Sequence, residues 1–110
     1  MRIALPQKPY NPGNAILSGV KRVHARATGR VQGVGYRYFV TGCAEETGVS
    51  GTVRNLPDGS VEIVAEGGEP ELLSFLGRCR GAGDPYIRVD RLDADWQEPT
   101  GEFRSFSIRW

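Results

Sequence analysis

Gly29-Arg30-Val31-Gln32-Gly33-Val34-Gly35-Tyr36-Arg37 is the segment of this chain best suited to chemistry. It leads from residues that alternate in polarity into residues with helical spacing. The first turn of a helix carries backbone N–H groups without intrahelical partners and a partial positive charge. Glycines just before it let several amides converge, which suits a phosphate group. Arg37, at or just inside the helix start, adds a planar bidentate partner for the same phosphate. The segment is not a Walker loop, since no Gly-Lys-Ser/Thr follows, nor a dinucleotide fingerprint, since Tyr38 stands where the third glycine would. A glycine-rich connection beside a surface arginine would show the same residues, so the segment alone leaves both readings open.

Asn55 is the second residue of interest. It shares parity with Val53, so the two point to one face of a strand. If Val53 faces the core, Asn55 does too, and an amide there needs a partner or an opening. The glycine-rich cradle would be such an opening, while a turn asparagine ahead of Pro57-Asp58-Gly59 is the plainer explanation. His24 falls on the parity opposite to Val23 and Ala25 and reads as a surface histidine, so no general base is evident. Cys43 and Cys79 form no CxxC pair, and a single histidine cannot complete a zinc site with them. Both read as buried thiols rather than a disulfide. No metal and no cofactor is expected. Arg54 reads as solvent-exposed, and Trp96 and Trp110 as core or sheet-edge aromatics.

The elements that position these residues follow from periodicity. Val23, Ala25 and Ala27 alternate with His24, Arg26 and Thr28, which predicts a half-buried strand. Tyr36, Phe39, Val40, Cys43, Ala44 and Thr47 recur at helical spacing, and Gly48 ends that helix. Thr52–Leu56 and Ser60–Glu66 predict two strands around a Pro57-Asp58-Gly59 turn. A second helix runs from Glu69 to Cys79, with Pro70 in its first turn and Leu72, Leu73, Phe75, Leu76 and Cys79 as its apolar stripe. Another strand lies within Ile87–Trp96, with a slip in alternation near Asp90-Arg91 that predicts a bulge. Phe103–Trp110 predicts a last strand, with Phe106, Ile108 and Trp110 on one face. The order β-α-β-β-α-β plus one strand predicts an α+β, ferredoxin-like (split β-α-β) sandwich. Its antiparallel sheet would have four to five strands and two helices on one face.

Composition narrows the functions. A chain of 110 residues makes one domain, residues 21–110, preceded by a Pro/Gly-rich, aperiodic stretch over 1–20 that reads as a flexible N-terminal extension. Fourteen basic residues nearly balance 13 acidic ones, so a dedicated polyanion binder is disfavoured. A base-stacking RRM sheet would share the fold, but Ser60–Glu66 has no aromatic residue and no RNP1-like run is present. No apolar run approaches the roughly 20 residues of a membrane span, and no apolar h-region marks a signal peptide. The expectation is a cytoplasmic monomer with no nucleic-acid or membrane partner.

TGRVQGVGYRYFV and SGTVRNLPDGSVEIVAEG resemble the two signature motifs of the acylphosphatase family, and FRSFSIRW is similar to its C-terminal strand. The resemblance spans residues 22–110. It implies the ferredoxin-like fold and hydrolysis of a small-molecule acyl phosphate to a carboxylate and inorganic phosphate. It also implies that Arg37 binds phosphate and Asn55 orients the attacking water, these two being the catalytic residues. The phosphate cradle would come from the amides of Gln32, Gly33, Val34, Gly35, Tyr36 and Arg37. A domain that binds acyl phosphates without turning them over is the remaining alternative. Gly35 and Leu56 depart from residues common in the family, with Gly35 implying a more mobile loop.

Overall fold

Val23, Ala25 and Ala27 are fully buried while Arg26 between them is exposed, the alternation of a strand with one covered face. The same rule, applied along the chain, builds a sheet with two helices over it. The computed structural model describes residues 2–4, 19–81 and 83–110. They form β1 (Arg2–Ala4), β2 (Lys21–Arg30), α1 (Tyr36–Thr47), β3 (Ser50–Asn55), β4 (Val61–Gly67), α2 (Glu69–Arg78), β5 (Arg88–Gln97) and β6 (Phe106–Arg109). The sheet order is β1-β5-β2-β4-β3-β6. Its centre, β5-β2-β4-β3, is antiparallel and has the ferredoxin-like order.

The expected ferredoxin-like α+β sandwich is present, and among the described residues two outer strands extend its antiparallel sheet of four to five strands. β6 joins β3 in parallel, and β1 joins β5 in parallel, giving six strands in a mixed sheet. A three-residue strand is too short to show a period, and the partner of β1 lies at the far end of the sequence. The flexible extension expected over 1–20 falls, for residue 1 and residues 5–18, outside the described residues. The bulge expected near Asp90-Arg91 is present. Thr28 pairs with Arg91 and Gly29 with Val89, which leaves Asp90 as the extra residue.

One core fills the space between sheet and helices. α1 contributes Tyr36, Val40, Cys43 and Ala44, and α2 contributes Leu72, Phe75 and Leu76. They meet Val53, Val61, Ile63, Leu92 and the small residues Ala25, Ala27, Ala65 and Ala94. Each large side chain buried this way contributes about 1.5–3 kcal/mol. Cys43 and Cys79 are free thiols, both buried. Trp96 packs partly buried against the core, with the Lys21 ammonium 5.2 Å from its ring centroid. No helix among the described residues is long and apolar enough to cross a membrane.

Glu66 clamps the connection between β5 and β6 onto the opposite face. Its carboxylate accepts from Arg22 Nη1 at 2.7 Å, Thr100 N at 2.8 Å, Gly101 N at 3.0 Å and Thr100 Oγ1 at 3.1 Å. Burial raises its pKa, but the Thr100 and Gly101 amides and the Arg22 guanidinium outweigh burial and hold it below the usual glutamate value. A carboxylate depressed in the folded state stabilises the fold above its unfolded pKa of about 4.3 and loses that contribution as pH falls through the folded value. Melting temperature should therefore drop as pH is lowered below the usual glutamate range. Glu66→Gln should lose about 1–3 kcal/mol at neutral pH and show a shallower acid decline. An unchanged acid slope in thermal melts of Glu66→Gln would contradict this.

Candidate active site

Chain connectivity brings three ends together. Gly48 and Val49 alone separate α1 from β3, so α1 runs back along the sheet and begins where β3 ends. Gly48 N–H closes the helix on Ala44 O at 2.8 Å. β2 and β3 are each antiparallel to β4, so they share a direction and finish at that same end. Residues 31–35 bridge the end of β2 to the start of α1 there. Arg37, the second residue of α1, and Asn55, the last of β3, therefore occupy one end of the sheet.

The loop is anchored at both sides. Val31 is buried and Val34 packs partly buried on the core. Gln32 Nε2 donates to Leu56 O and Ser60 O, both at 2.8 Å, tying the loop to the turn that follows Asn55. Tyr36 is buried and its hydroxyl donates to Cys79 O at 2.7 Å. Between these anchors Gly33 and Gly35 hold φ values of 74° and 82°. A Cβ at either would meet open space, so the left-handed backbone is what calls for glycine. Gly29 has a different reason. It is part of β2 rather than of the cradle, and a Cβ there would lie 2.2 Å from Arg88 O at the bulge.

The electrostatics suit an anion. Among the described residues, the first N–H after Val31 that finds a protein acceptor is Phe39's, bonded to Gly35 O at 3.0 Å. The amides before it are available to a ligand, as at any helix start. No acidic side chain lies in the first turn of α1, whereas Glu69 and Glu71 sit in that of α2. The positive end of α1 is thus left uncompensated. No described ion pair uses Arg37. Its guanidinium carbon instead sits 4.2 Å from the ring centroid of Trp110. Asn55 Oδ1 is buried with no hydrogen-bond partner among the described residues, which is rare for a native polar atom.

Several sequence expectations are settled by position. His24 lies on the open face, 2.9 Å from Glu62 Oε2, and Arg54 Nε bonds Glu62 Oε1 at 2.6 Å. Neither belongs to the helix-side site. Trp110, expected in the core or at the sheet edge, is 86% exposed and lies beyond β6 against Arg37. Its parity with Phe106 and Ile108 was visible in the sequence, but the parallel pairing of β6 with β3 was not. The bracing amide of Gln32 has no local signal either, because its acceptors lie more than twenty residues away. Among the described residues no three His, Cys, Asp or Glu side chains gather as a metal-ligand set.

The family model described as Acylphosphatase matches residues 23–108. An acylphosphatase of Methylococcus capsulatus is 48% identical over 89 residues, covering 81% of this chain and 96% of the relative. One from a Roseiflexus species is 46% identical over 89 residues, covering 81% and 95%. The crystal structure of acylphosphatase from Bacillus subtilis superposes with a TM-score of 0.76 at 37% identity, covering 82% of this chain and 99% of that one.

Proposed function

The chain belongs to the acylphosphatase family, and from that premise we propose how its residues carry out the reaction. The protein is an acylphosphatase, hydrolysing the carboxyl–phosphate anhydride of acyl phosphates to a carboxylate and inorganic phosphate. The substrate is an activated anhydride whose leaving group is already a good one. Catalysis then rests on positioning and charge stabilisation rather than on a strong base.

In our reading the backbone amides of Gln32, Gly33, Val34, Gly35, Tyr36 and Arg37 hold the phosphoryl oxygens, where transition-state charge resides. The Arg37 guanidinium adds charge-assisted hydrogen bonds to the same oxygens. Asn55 Oδ1 accepts one O–H of the attacking water and fixes its oxygen on the phosphorus. As the water oxygen bonds to phosphorus, the anhydride P–O bond breaks and its electron pair leaves with the carboxylate. The water proton passes to a phosphate oxygen, so no protein base is needed.

The observation that carries this reading is the buried Asn55 Oδ1, unpartnered among the described residues, at the end of the sheet where α1 begins. The same reading takes the enzyme to be a cytoplasmic monomer, acting on a small-molecule acyl phosphate without a metal or cofactor and without nucleic-acid or membrane partners. Phosphate release from a synthetic acyl phosphate tests it. Release should exceed the uncatalysed rate and stay unchanged in excess chelator. Activity lost with chelator and restored by a divalent cation would overturn the metal-free chemistry, and absence of turnover would leave only a binding domain.

A further inference from the structure

Trp110 has no part in the chemistry above, yet its ring lies 4.2 Å from the Arg37 guanidinium while 86% of the residue is exposed. Its place follows from strand register. β6 runs parallel to β3 with Val53 opposite Ile108 and Arg54 opposite Arg109. One further step brings Trp110 level with Asn55. Paired residues of parallel strands share a face, and Val53 and Ile108 both pack on the helix-side core. Trp110 and Asn55 are therefore directed to that side as well, at the end where α1 starts. The ring meets Arg37 because α1 packs on both β3 and β6.

The kind of contact matters. A carboxylate beside Arg37 would occupy the N–H edge of the guanidinium and cancel its charge. An aromatic face engages the flat side of the cation and leaves the N–H edge for a phosphate. No described ion pair or side-chain hydrogen bond holds this guanidinium in any other way. We propose that Trp110 is a positioning residue for Arg37, stacking its guanidinium so that the N–H edge is presented to the phosphoryl group. The proposal rests on the reading of Arg37 as the phosphate-binding arginine.

Variants that separate the aromatic face from bulk provide the test. Trp110→Leu and Trp110→Ala should raise KM and the competitive inhibition constant of inorganic phosphate about threefold to fivefold, the size of an exposed cation–π contact. Melting temperature should stay native, since the residue is mostly exposed and lies outside β6. Trp110→Phe should keep most of the native affinity. In an Arg37→Ala background, Trp110→Leu should add nothing. Native KM and phosphate inhibition in Trp110→Leu would overturn the proposal, as would equal losses in the Phe and Leu variants. An Arg37→Ala protein with native phosphate inhibition would instead overturn the role of Arg37 itself. Weak inhibition in Arg37→Ala beside native inhibition in Trp110→Leu would overturn the Trp110 proposal alone.

Discussion

Arg37→Ala is expected to lower kcat/KM by roughly 10³-fold or more, the scale of removing a charged clamp from a phosphoryl group in transfer. The guanidinium stands at the uncompensated positive end of α1 and takes part in no described ion pair. Its hydrogen bonds would be made both to bound substrate and to the more charged transition state. Both KM and kcat should therefore suffer, and product inhibition by inorganic phosphate should largely disappear. The fold should suffer little, because Arg37 is not a member of the apolar core cluster and its guanidinium lies against the exposed Trp110. Initial rates over a range of acyl phosphate, with and without added phosphate, measure all three quantities. Native KM with native phosphate inhibition would remove Arg37 from the site.

Asn55→Ala should produce a different signature. The side chain carries no charge and adds little to binding a dianion, so KM should hold near its native value. Its proposed task is to orient water as the reaction proceeds, and kcat should fall roughly 10²-fold or more, as when one preorganised hydrogen-bonding group is lost. Stability provides the sharper contrast. An asparagine that merely shaped the turn before Pro57 would lose about 1 kcal/mol of stability on truncation. Here no described protein group bonds the buried Oδ1, so truncation strands no protein donor and the variant should melt near the native temperature. A destabilised variant with native turnover would refute the water-positioning role.

The two results together distinguish binding from turnover. On the proposed reading, Arg37 would hold the phosphoryl group in both ground and transition states, whereas Asn55 would act only on the attacking water. A protein that bound acyl phosphates without hydrolysing them would show the first dependence and no turnover to lose.

Much of this protein was legible in one dimension, where local periodicity and turn chemistry carry the information. The alternation at Val23, Ala25 and Ala27 placed β2, and helical spacing from Tyr36 to Thr47 placed α1 with Gly48 as its stop. Pro57-Asp58-Gly59 placed the hairpin, and the slip at Asp90 placed the bulge. Each of these signals comes from steric or hydrogen-bonding preferences within a few residues, so it survives without knowledge of the rest of the chain. The glycine-rich approach to Arg37 and the parity of Asn55 were readable for the same reason.

What the sequence left open depends on contacts between distant segments. β1 is too short to have a period, and its parallel pairing with β5 exists only once the sheet has formed. The parallel docking of β6 on β3 sets Trp110 level with Asn55, although no local pattern relates position 110 to position 37. Glu66 looks like any strand glutamate until Thr100, Gly101 and Arg22 close around it. The lack of a partner for Asn55 Oδ1 among the described residues is likewise a property of the packed surroundings and not of the asparagine. Residue types and spacing thus determined the elements and the chemistry on offer. Strand order and register, which the chain acquires only by closing long loops, decided which of those residues meet.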